Sequence, residues 1–171
     1  MKILVISDTH RNTAAIRNVL KAVKSSVAMV FHLGDCRDDI KPFEKENPQL
    51  RFVCVSGNCD FNTDVPLNIV VPVRGKKIWL CHGHQDNVKM TYDRISYRAE
   101  ELGVDACLFG HTHSPVLFYQ SGILFLNPGS LSSPRGYAVP TYGMLDVSDE
   151  GAITPSLVGV YGKGFFRPID W

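Results

Sequence analysis

The sequence lacks any strong excess of charge and any long apolar run. Its 171 residues contain Lys+Arg 18 and Asp+Glu 17, a formal net charge of +1, which gives no electrostatic signal for nucleic acid or for an anionic membrane surface. No stretch approaches the roughly 20 apolar residues of a membrane span or shows a signal-peptide cleavage region. We therefore expect a cytoplasmic protein with no membrane association and no stable nucleic-acid binding.

Several catalytic and metal-binding patterns are also missing. The five cysteines are an odd number and form no CxxC pair, which argues against a disulfide framework or a zinc ribbon. There is no P-loop and no Ser/His/Asp arrangement for a covalent route. The HxHxDH run of the metallo-β-lactamase type of binuclear hydrolase is absent as well. A function must therefore be sought in the residues that follow the apolar segments.

The first part of the chain has the pattern of an α/β protein. Residues 16, 19, 20 and 23 are apolar at helical spacing, with Asn12 or Thr13 as the N-cap, and apolar strands flank this helix on both sides. A second helix is predicted from Val88 to Leu102, capped by Asn87 and ended by Gly103. Between the helices, Arg74-Gly75 separates two strand-like runs and predicts a hairpin.

The last third is rich in predicted strands. Runs at 116–119, 123–126, 142–147 and 153–160 are separated by Gly, Ser, Pro and Asn turns and show no helical period. The tail from Gly162 to Trp171 holds Phe165 and Phe166, which we expect to pack on the protein or at an oligomer contact. At 44% hydrophobic, the chain is predicted to be one domain, 1–171, with two packed sheets and helices outside.

Five apolar runs end directly before a residue that can bind a metal. They are ILVIS before Asp8, AMVFHLG before Asp35, RFVCVSG before Asn58, KIWLC before His82 and ACLFG before His111. The carboxyl ends of buried parallel strands meet at one edge of a sheet, and ligands bind in α/β folds outside those ends. The sequence therefore predicts that these residues converge. Asp38 and Asp39 are interpreted instead as an acidic pair at a helix start.

Histidines strengthen this prediction. His10 follows Asp8 by two residues, and an extended chain would point both side chains the same way. Two HxH pairs, His82-Gly83-His84 and His111-Thr112-His113, follow apolar runs. The five residues that follow the apolar runs, together with His10 and His113, make seven candidate ligands. Seven ligands are too many for one tetrahedral ion and are suitable for two ions. For His84 three roles stay open: it orients a ligand, contacts the substrate, or is a structural histidine.

Taken in order, these segments resemble the calcineurin-like metallophosphoesterases, in particular the small bacterial and archaeal phosphodiesterases. The motifs are D-x-H at Asp8, G-D at Asp35, G-N at Asn58, H-G-H at His82 and G-H-T-H ending at His113. The Asn-Pro-Gly-Ser run at 127–130 also looks like that of the small members. The motifs cover about two thirds of the chain.

The resemblance implies a four-layer αββα sandwich of class α/β, with two mixed β-sheets flanked by helices. It implies that Asp8, His10, Asp35 and His113 hold one divalent metal ion. Asn58, His82 and His111 would hold a second ion, with Asp35 as the bridge. Manganese is the first expectation, and Fe, Ni or Zn fit the same donors. Hydrolysis would then use a hydroxide that bridges two metals, with Asp35, Asn58 and His84 as the catalytic group.

Cys59 stands where many phosphatases of this superfamily have a histidine that protonates the leaving group. A thiol is a poor acid for this step, so phosphodiesters, including nucleotide-like ones, are the expected substrates. Two alternatives stay open. One is a phosphomonoesterase of the same fold, and the other is a non-catalytic scaffold like the retromer subunit of this fold. A homo-oligomer is also left open.

Overall fold

The structure is a computed structural model that describes residues 1–61, 64–162 and 165–169. Eleven strands are found in these residues. They are β1 (Lys2–Ile6), β2 (Met29–His32), β3 (Arg51–Cys54), β4 (Asn68–Val73), β5 (Lys76–Cys81), β6 (Ala106–Leu108), β7 (Pro115–Gln120), β8 (Ile123–Pro128), β9 (Thr141–Val147), β10 (Ile153–Val160) and β11 (Phe166–Pro168).

The strands form two mixed sheets. The first has the order β11-β10-β9-β1-β2-β3 and the second β4-β5-β6-β8-β7. β1, β2 and β3 are parallel, and β9 pairs antiparallel with β1. β5, β6 and β8 are parallel, with β4 and β7 as antiparallel edges. Each sheet thus delivers the carboxyl ends of three parallel strands, and the predicted pair of mixed sheets is confirmed.

The apolar strands are buried on both faces. In β1, Ile3 and Val5 join the core between the two sheets, whereas Leu4 and Ile6 join the core on the outer face of the first sheet. Because successive strand residues point to opposite faces, both faces of β1 must be covered, and the uninterrupted apolar sequence of this strand follows from that. The parallel strands β2, β5, β6 and β8 repeat the pattern, whereas β3, at the edge of its sheet, is only partly buried.

Helices cover the two outer faces. They are α1 (Thr13–Val23), α2 (Lys41–Glu46) and α3 (Asp93–Leu102). α1 begins at Asn12, whose side-chain oxygen accepts a hydrogen bond from the backbone N–H of Ala15 at 3.1 Å, so the predicted cap is present. The buried face of α1 packs on the first sheet and that of α3 on the second. The predicted αββα sandwich is confirmed.

The predicted start of the second helix is wrong. α3 begins at Asp93 rather than near Val88, and a short 3₁₀ turn occupies His84–Asp86. Asn87 has φ 56°, in the left-handed region, where it ends this turn instead of capping a helix. Val88 is nevertheless buried, so its apolar character reflects packing rather than helix period. The acidic pair Asp38 and Asp39 lies in the first turn of a 3₁₀ helix, Arg37–Ile40, that leads directly into α2, so the helix start interpreted there is present. The six residues of α2 itself carry too little periodicity to be predicted.

The hairpin and the tail follow the sequence predictions in part. Arg74 and Gly75 both have positive φ, 48° and 79°, as a two-residue turn between antiparallel strands requires. Phe166 is partly buried against the outer core of the first sheet, while Phe165 remains exposed. Trp171 lies outside the described residues. Within the described part of the chain, no helix has the length and apolarity to cross a membrane.

Candidate metal centre

The seven candidate ligands lie in loops that leave the carboxyl ends of parallel strands. The first sheet supplies Asp8 and His10 after β1, Asp35 after β2 and Asn58 after β3. The second sheet supplies His82 directly after β5, and His111 and His113 after β6. The two groups meet: the Nε2 atom of His82 lies 3.4 Å from Oδ1 of Asp35. The predicted convergence is present, and it joins the two sheets.

One half of the centre contains Asp8, His10, Asp35 and His113. One potential ligand atom of each lies within 4.8 Å of those of the others. Nε2 of His113 is 3.2 Å from Oδ1 of Asp8 and 3.2 Å from Nε2 of His10. Nε2 of His10 is in turn 3.8 Å from Oδ2 of Asp35. At these distances the four donor atoms are close enough together to coordinate one metal ion.

The other half is built around His82. Its Nε2 atom is 3.2 Å from the side-chain oxygen of Asn58, on the same side as Oδ1 of Asp35. The ring of His111 lies 5.0 Å from that of His82, centroid to centroid. Asp35 therefore presents Oδ2 to His10 and Oδ1 to His82. It faces both halves with separate oxygens, and it lies closer to His82 than does Asp8, whose Oδ1 is 4.0 Å from Nε2 of His82.

The protonation of the imidazoles tests whether cations fit this arrangement. The Nδ1–H group of His82 donates to the carbonyl of Leu33 at 2.7 Å, and that of His113 donates to the carbonyl of Ser133 at 2.7 Å. A neutral imidazole with its proton on Nδ1 has a bare lone pair on Nε2. In both residues this lone pair faces acceptor oxygens, at Asn58 or Asp8. Acceptors that face one another are complementary to a cation between them.

Asp8 gives a second fit test. Its side chain is fully buried, and Oδ2 accepts hydrogen bonds from the hydroxyl of Ser7 at 2.6 Å and the backbone N–H of His111 at 3.0 Å. Oδ1, which points to the histidines, has no hydrogen-bond donor within the described structure. A buried carboxylate oxygen without a donor is costly unless a cation satisfies it. The residues present therefore fit a metal.

Without a metal, the carboxylates and histidines of the centre shift one another's pKa values. Burial raises the pKa of Asp8 and Asp35, but the neighbouring histidines outweigh this effect, so both pKa values fall below the usual range. Burial lowers the pKa of His82, but Asp35 and Asp8 reverse this, so the net pKa is raised. The pKa of His113 is raised chiefly because its ring, once protonated on Nε2, gains a hydrogen bond to Asp8. Protons thus compete for the positions of the cations.

The family follows from comparison with known proteins. Residues 1–150 match the family model described as the calcineurin-like phosphoesterase superfamily domain. The chain belongs to this superfamily. It is therefore a metallophosphoesterase by family, and the resemblance drawn from the motifs is confirmed.

Individual relatives cover most of the chain. The probable metallophosphoesterase YsnB of Bacillus subtilis is 33% identical over 153 residues, which cover 89% of this chain and 88% of the relative. The phosphodiesterase YfcE of Escherichia coli K12 is 30% identical and covers 85% of this chain and 88% of the relative. A crystal structure of a Vps29 single mutant from Entamoeba histolytica superimposes with a TM-score of 0.80 at 27% identity, over 100% of this chain and 99% of that one.

The backbone of the centre departs from the sequence prediction. Asp8 and His10 are not in extended chain, since their φ angles are 52° and 40°. Asp35, His111 and His113 also have positive φ, between 61° and 69°. The ligand loops after β1, β2 and β6 therefore turn sharply beyond their strands, which brings these side chains back over the end of the sheet. Asp and His are among the residues that tolerate this region best.

Two aspartates that the sequence analysis did not select hold the ligand loops. Asp60 accepts backbone N–H bonds from Asp35 at 2.9 Å, Arg37 at 2.9 Å and Gly57 at 2.8 Å, and so ties the β2 loop to the β3 loop. Asp39 accepts from the hydroxyl of Thr9 and the backbone N–H of Arg11, both at 2.7 Å. The interpretation of Asp39 as part of an acidic pair at a helix start is incomplete, because its carboxylate turns toward the β1 loop.

The Asn-Pro-Gly-Ser segment supports the same loops from the second sheet. The hydroxyl of Ser130 donates to the backbone carbonyl of Asp8 at 2.7 Å, and the amide of Asn127 donates to the carbonyl of Gly110 at 2.8 Å. Gly110 cannot carry a side chain, because an added Cβ would lie 2.0 Å from the Ser7 hydroxyl. The segment's role in the motif is therefore positional: it fixes the backbone that carries Asp8 and His111.

His32 and His84 differ in their surroundings. His32 is fully buried, accepts from the backbone N–H of Gly34 at 3.2 Å, and lies 3.1 Å from the hydroxyl of Thr9. Burial lowers its pKa to about 4, so it is a neutral structural histidine beside the Asp35 turn. The His84 ring lies 5.4 Å from that of His82, and its buried Nδ1 has no hydrogen-bond partner within the described structure.

Proposed function

We propose that this protein is a phosphodiesterase that uses two divalent metal ions. Asp8, His10, Asp35 and His113 are assigned to the first ion, and the second ion takes Asn58, His82 and His111 with Asp35 as the shared ligand. The observation that carries the proposal is that His82 and His113 each commit Nδ1 to a backbone carbonyl and turn Nε2 toward acceptor oxygens, one in each half of the centre. The match of residues 1–150 to the phosphoesterase family supports it.

Two bound ions would supply a water of lowered pKa and positive charge for the phosphate oxygens. The protein's own residues fix the geometry. Asp35 is held from both sides, because its Oδ1 accepts from the backbone N–H of Cys59 at 2.8 Å and its own N–H donates to Asp60. The carbonyls of Leu33 and Ser133 orient His82 and His113. Little reorganisation is then needed when substrate binds.

The preference among esters rests in part on Cys59. Its thiol is exposed and follows Asn58, whose amide donates to the sulfur at 3.4 Å. Partial desolvation of the sulfur against the protein surface, together with Asp35, raises the pKa of this thiol to about 11, so it is a weak acid. An ester with a basic alkoxide leaving group needs a stronger acid, so activated esters are favoured. Among the ester classes, the similarity to the phosphodiesterase YfcE favours diesters. We assign His84, whose ring lies beside those of His82 and His111, to contact with the substrate.

The ligand chemistry favours no single metal. The donors are carboxylate, amide and imidazole, without thiolate, a set that suits Mn²⁺, Fe²⁺, Ni²⁺ and Zn²⁺. We assign Mn²⁺ as the first ion to test. A scaffold that binds other proteins through the same fold is the second candidate, supported by the structural likeness to Vps29 at 27% identity. The filled set of seven candidate ligands favours the enzyme.

The deciding experiment compares bis-p-nitrophenyl phosphate with p-nitrophenyl phosphate after chelation and after Mn²⁺ is returned. We expect cleavage that depends on Mn²⁺ and favours the diester. A preference for the monoester would contradict this proposal and would show that the protein acts as a phosphomonoesterase. Absence of cleavage of both esters, with two ions bound per chain by calorimetry, would favour the scaffold.

A further inference from the structure

A cleft of about 540 Å³ opens beside the metal centre. Its walls include Arg11, Cys36 and Cys59. Each of these residues directly follows a candidate ligand, namely His10, Asp35 and Asn58. The cleft therefore borders both halves of the centre on the side of Cys59. Its volume lies within the range of small-molecule binding sites, about 300–1,000 Å³.

The position of the cleft assigns it to one part of the substrate. The resemblance implies that Cys59 occupies the place of the acid that protonates the departing alcohol in related phosphatases. In the function proposed above the alcohol then leaves toward Cys59, and the cleft is the space on that side. The rim carries Phe61, whose side chain is 82% exposed. A large aromatic ring left in water at the edge of a polar cleft offers a stacking surface for a planar group.

Most of the carboxylates that line the cleft already have hydrogen-bond or ion-pair partners other than the Arg11 side chain. Asp60 and Asp39 also line the cleft, but their oxygens accept from the backbone and from Thr9. Asp38 is paired with Lys41 at 2.7 Å and with Arg37 at 2.9 Å. Asp64 is the remaining carboxylate.

Two basic side chains keep unused donors. Arg11 is fixed by its backbone N–H bond to Asp39, and its guanidinium makes no hydrogen bond or ion pair within the described part of the chain. Arg37 adds a buried Nε–H that likewise lacks an acceptor there. Two guanidinium groups with free donors on one wall are suited to a carboxylate or a phosphate.

We propose that this cleft binds the leaving group of the diester and that Arg11 selects a leaving group with a planar ring and a second negative charge, as in a nucleotide. The proposal rests on the phosphodiesterase function assigned above. It names a substrate class: diesters whose departing alcohol is itself anionic. Arg11 is a specificity-determining residue in this proposal, and Phe61 supplies the surface for the ring.

The test uses two diesters that differ only in the charge of the leaving group. They are methyl 4-nitrophenyl phosphate and methyl 3-carboxy-4-nitrophenyl phosphate, assayed with the Mn²⁺-loaded protein. The measured quantity is the ratio of kcat/KM for the charged ester to that for the uncharged ester. We expect Arg11→Ala to lower this ratio about tenfold or more, since a charge-assisted hydrogen bond is lost. Arg11→Lys restores part of it, and Arg94→Ala, an exposed arginine on α3, leaves it unchanged.

A binding measurement separates the two proposals. Ligand-observed NMR compares 5-hydroxy-2-nitrobenzoate with 4-nitrophenol on the wild-type protein and on Arg11→Ala. Tighter binding of the benzoate that depends on Arg11 supports the cleft even if neither ester is cleaved, a result that would overturn the phosphodiesterase function alone. Cleavage of both esters with a ratio and a benzoate affinity that Arg11→Ala does not change would overturn the cleft proposal and leave the phosphodiesterase function intact.

Discussion

Asp35→Asn is the substitution that most directly tests the shared carboxylate. Asparagine has nearly the same shape, and its side-chain oxygen can keep the hydrogen bond from the Cys59 backbone N–H, 2.8 Å from Oδ1 in the native protein. The change removes one of the two carboxylates in the seven-ligand set, the other being Asp8. It also places an amide donor opposite His10, at the position where Oδ2 lies 3.8 Å from Nε2.

The size of the effect follows from these contacts. Loss of a group that only orients a ligand costs about 10–100-fold in metal affinity, so loss of a charged ligand shared by both ions should cost more than about 100-fold. We expect calorimetry with Mn²⁺ to show at most one ion bound per chain, and diesterase activity to be lost. The thermal melting curve should remain cooperative, because the core on either side of the sheets is untouched.

The matched control is Asp149→Asn. Asp149 is exposed, pairs with Arg74, and lies near the amino end of β1, at the opposite end of the sheet from the centre. It should retain two Mn²⁺ ions and activity. Two ions bound by Asp35→Asn with native affinity, together with native turnover, would refute the assignment of Asp35 as the shared ligand.

Three further predictions concern the acid, the protons and the supporting loop. Cys59→His should raise monoester relative to diester hydrolysis by at least about tenfold, because a positioned general acid contributes about 10²–10⁴-fold; an unchanged ratio in steady-state assays would contradict the role of the thiol. Mn²⁺ affinity should fall as pH falls through the raised pKa values of His82 and His113, since each must lose its proton to bind metal, and should be highest above them; calorimetry at several pH values that shows no change would contradict this. Ser130→Ala should destabilise the protein by about 1–3 kcal/mol, lowering Tm by roughly 2–10 °C, because it removes the buried hydrogen bond to the carbonyl of Asp8 and the acceptor for the N–H groups of Ser132 and Ser133. The exposed Ser26→Ala should change Tm little, and equal shifts in the two variants would argue against this role of Ser130.

The sequence predicts the parts of this molecule that depend on local patterns. Apolar runs identified the parallel strands, and the polar residue after each run identified the candidate ligands. This worked because a parallel strand buried on both faces must be apolar throughout, and because its carboxyl end meets the ends of its neighbours. Convergence of Asp8 with His113 follows from topology alone, although the two are 105 positions apart.

Other features have no local signature. Asp60 and Ser130 hold the ligand loops through hydrogen bonds to backbone atoms of distant residues, so their sequence neighbours look like ordinary turns. The helix start near Asn87 was misplaced because Asn favours both an N-cap and the left-handed region, and only the packing of Val88 decides between them. The extended geometry expected between Asp8 and His10 failed for a related reason, since nothing in a D-x-H motif specifies positive φ.

The left-handed backbone of the centre has a consequence for how this sequence can evolve. Asp8, His10, Asp35, His111 and His113 all occupy it, at about 1–2 kcal/mol for an L-residue and somewhat less for Asp and His. Five such positions together approach the net stability of an ordinary domain, about 5–15 kcal/mol. Glycine would relax each of them and remove a ligand. A library selected for thermostability alone should therefore accumulate glycine at these five positions first, whereas selection for turnover should hold them fixed.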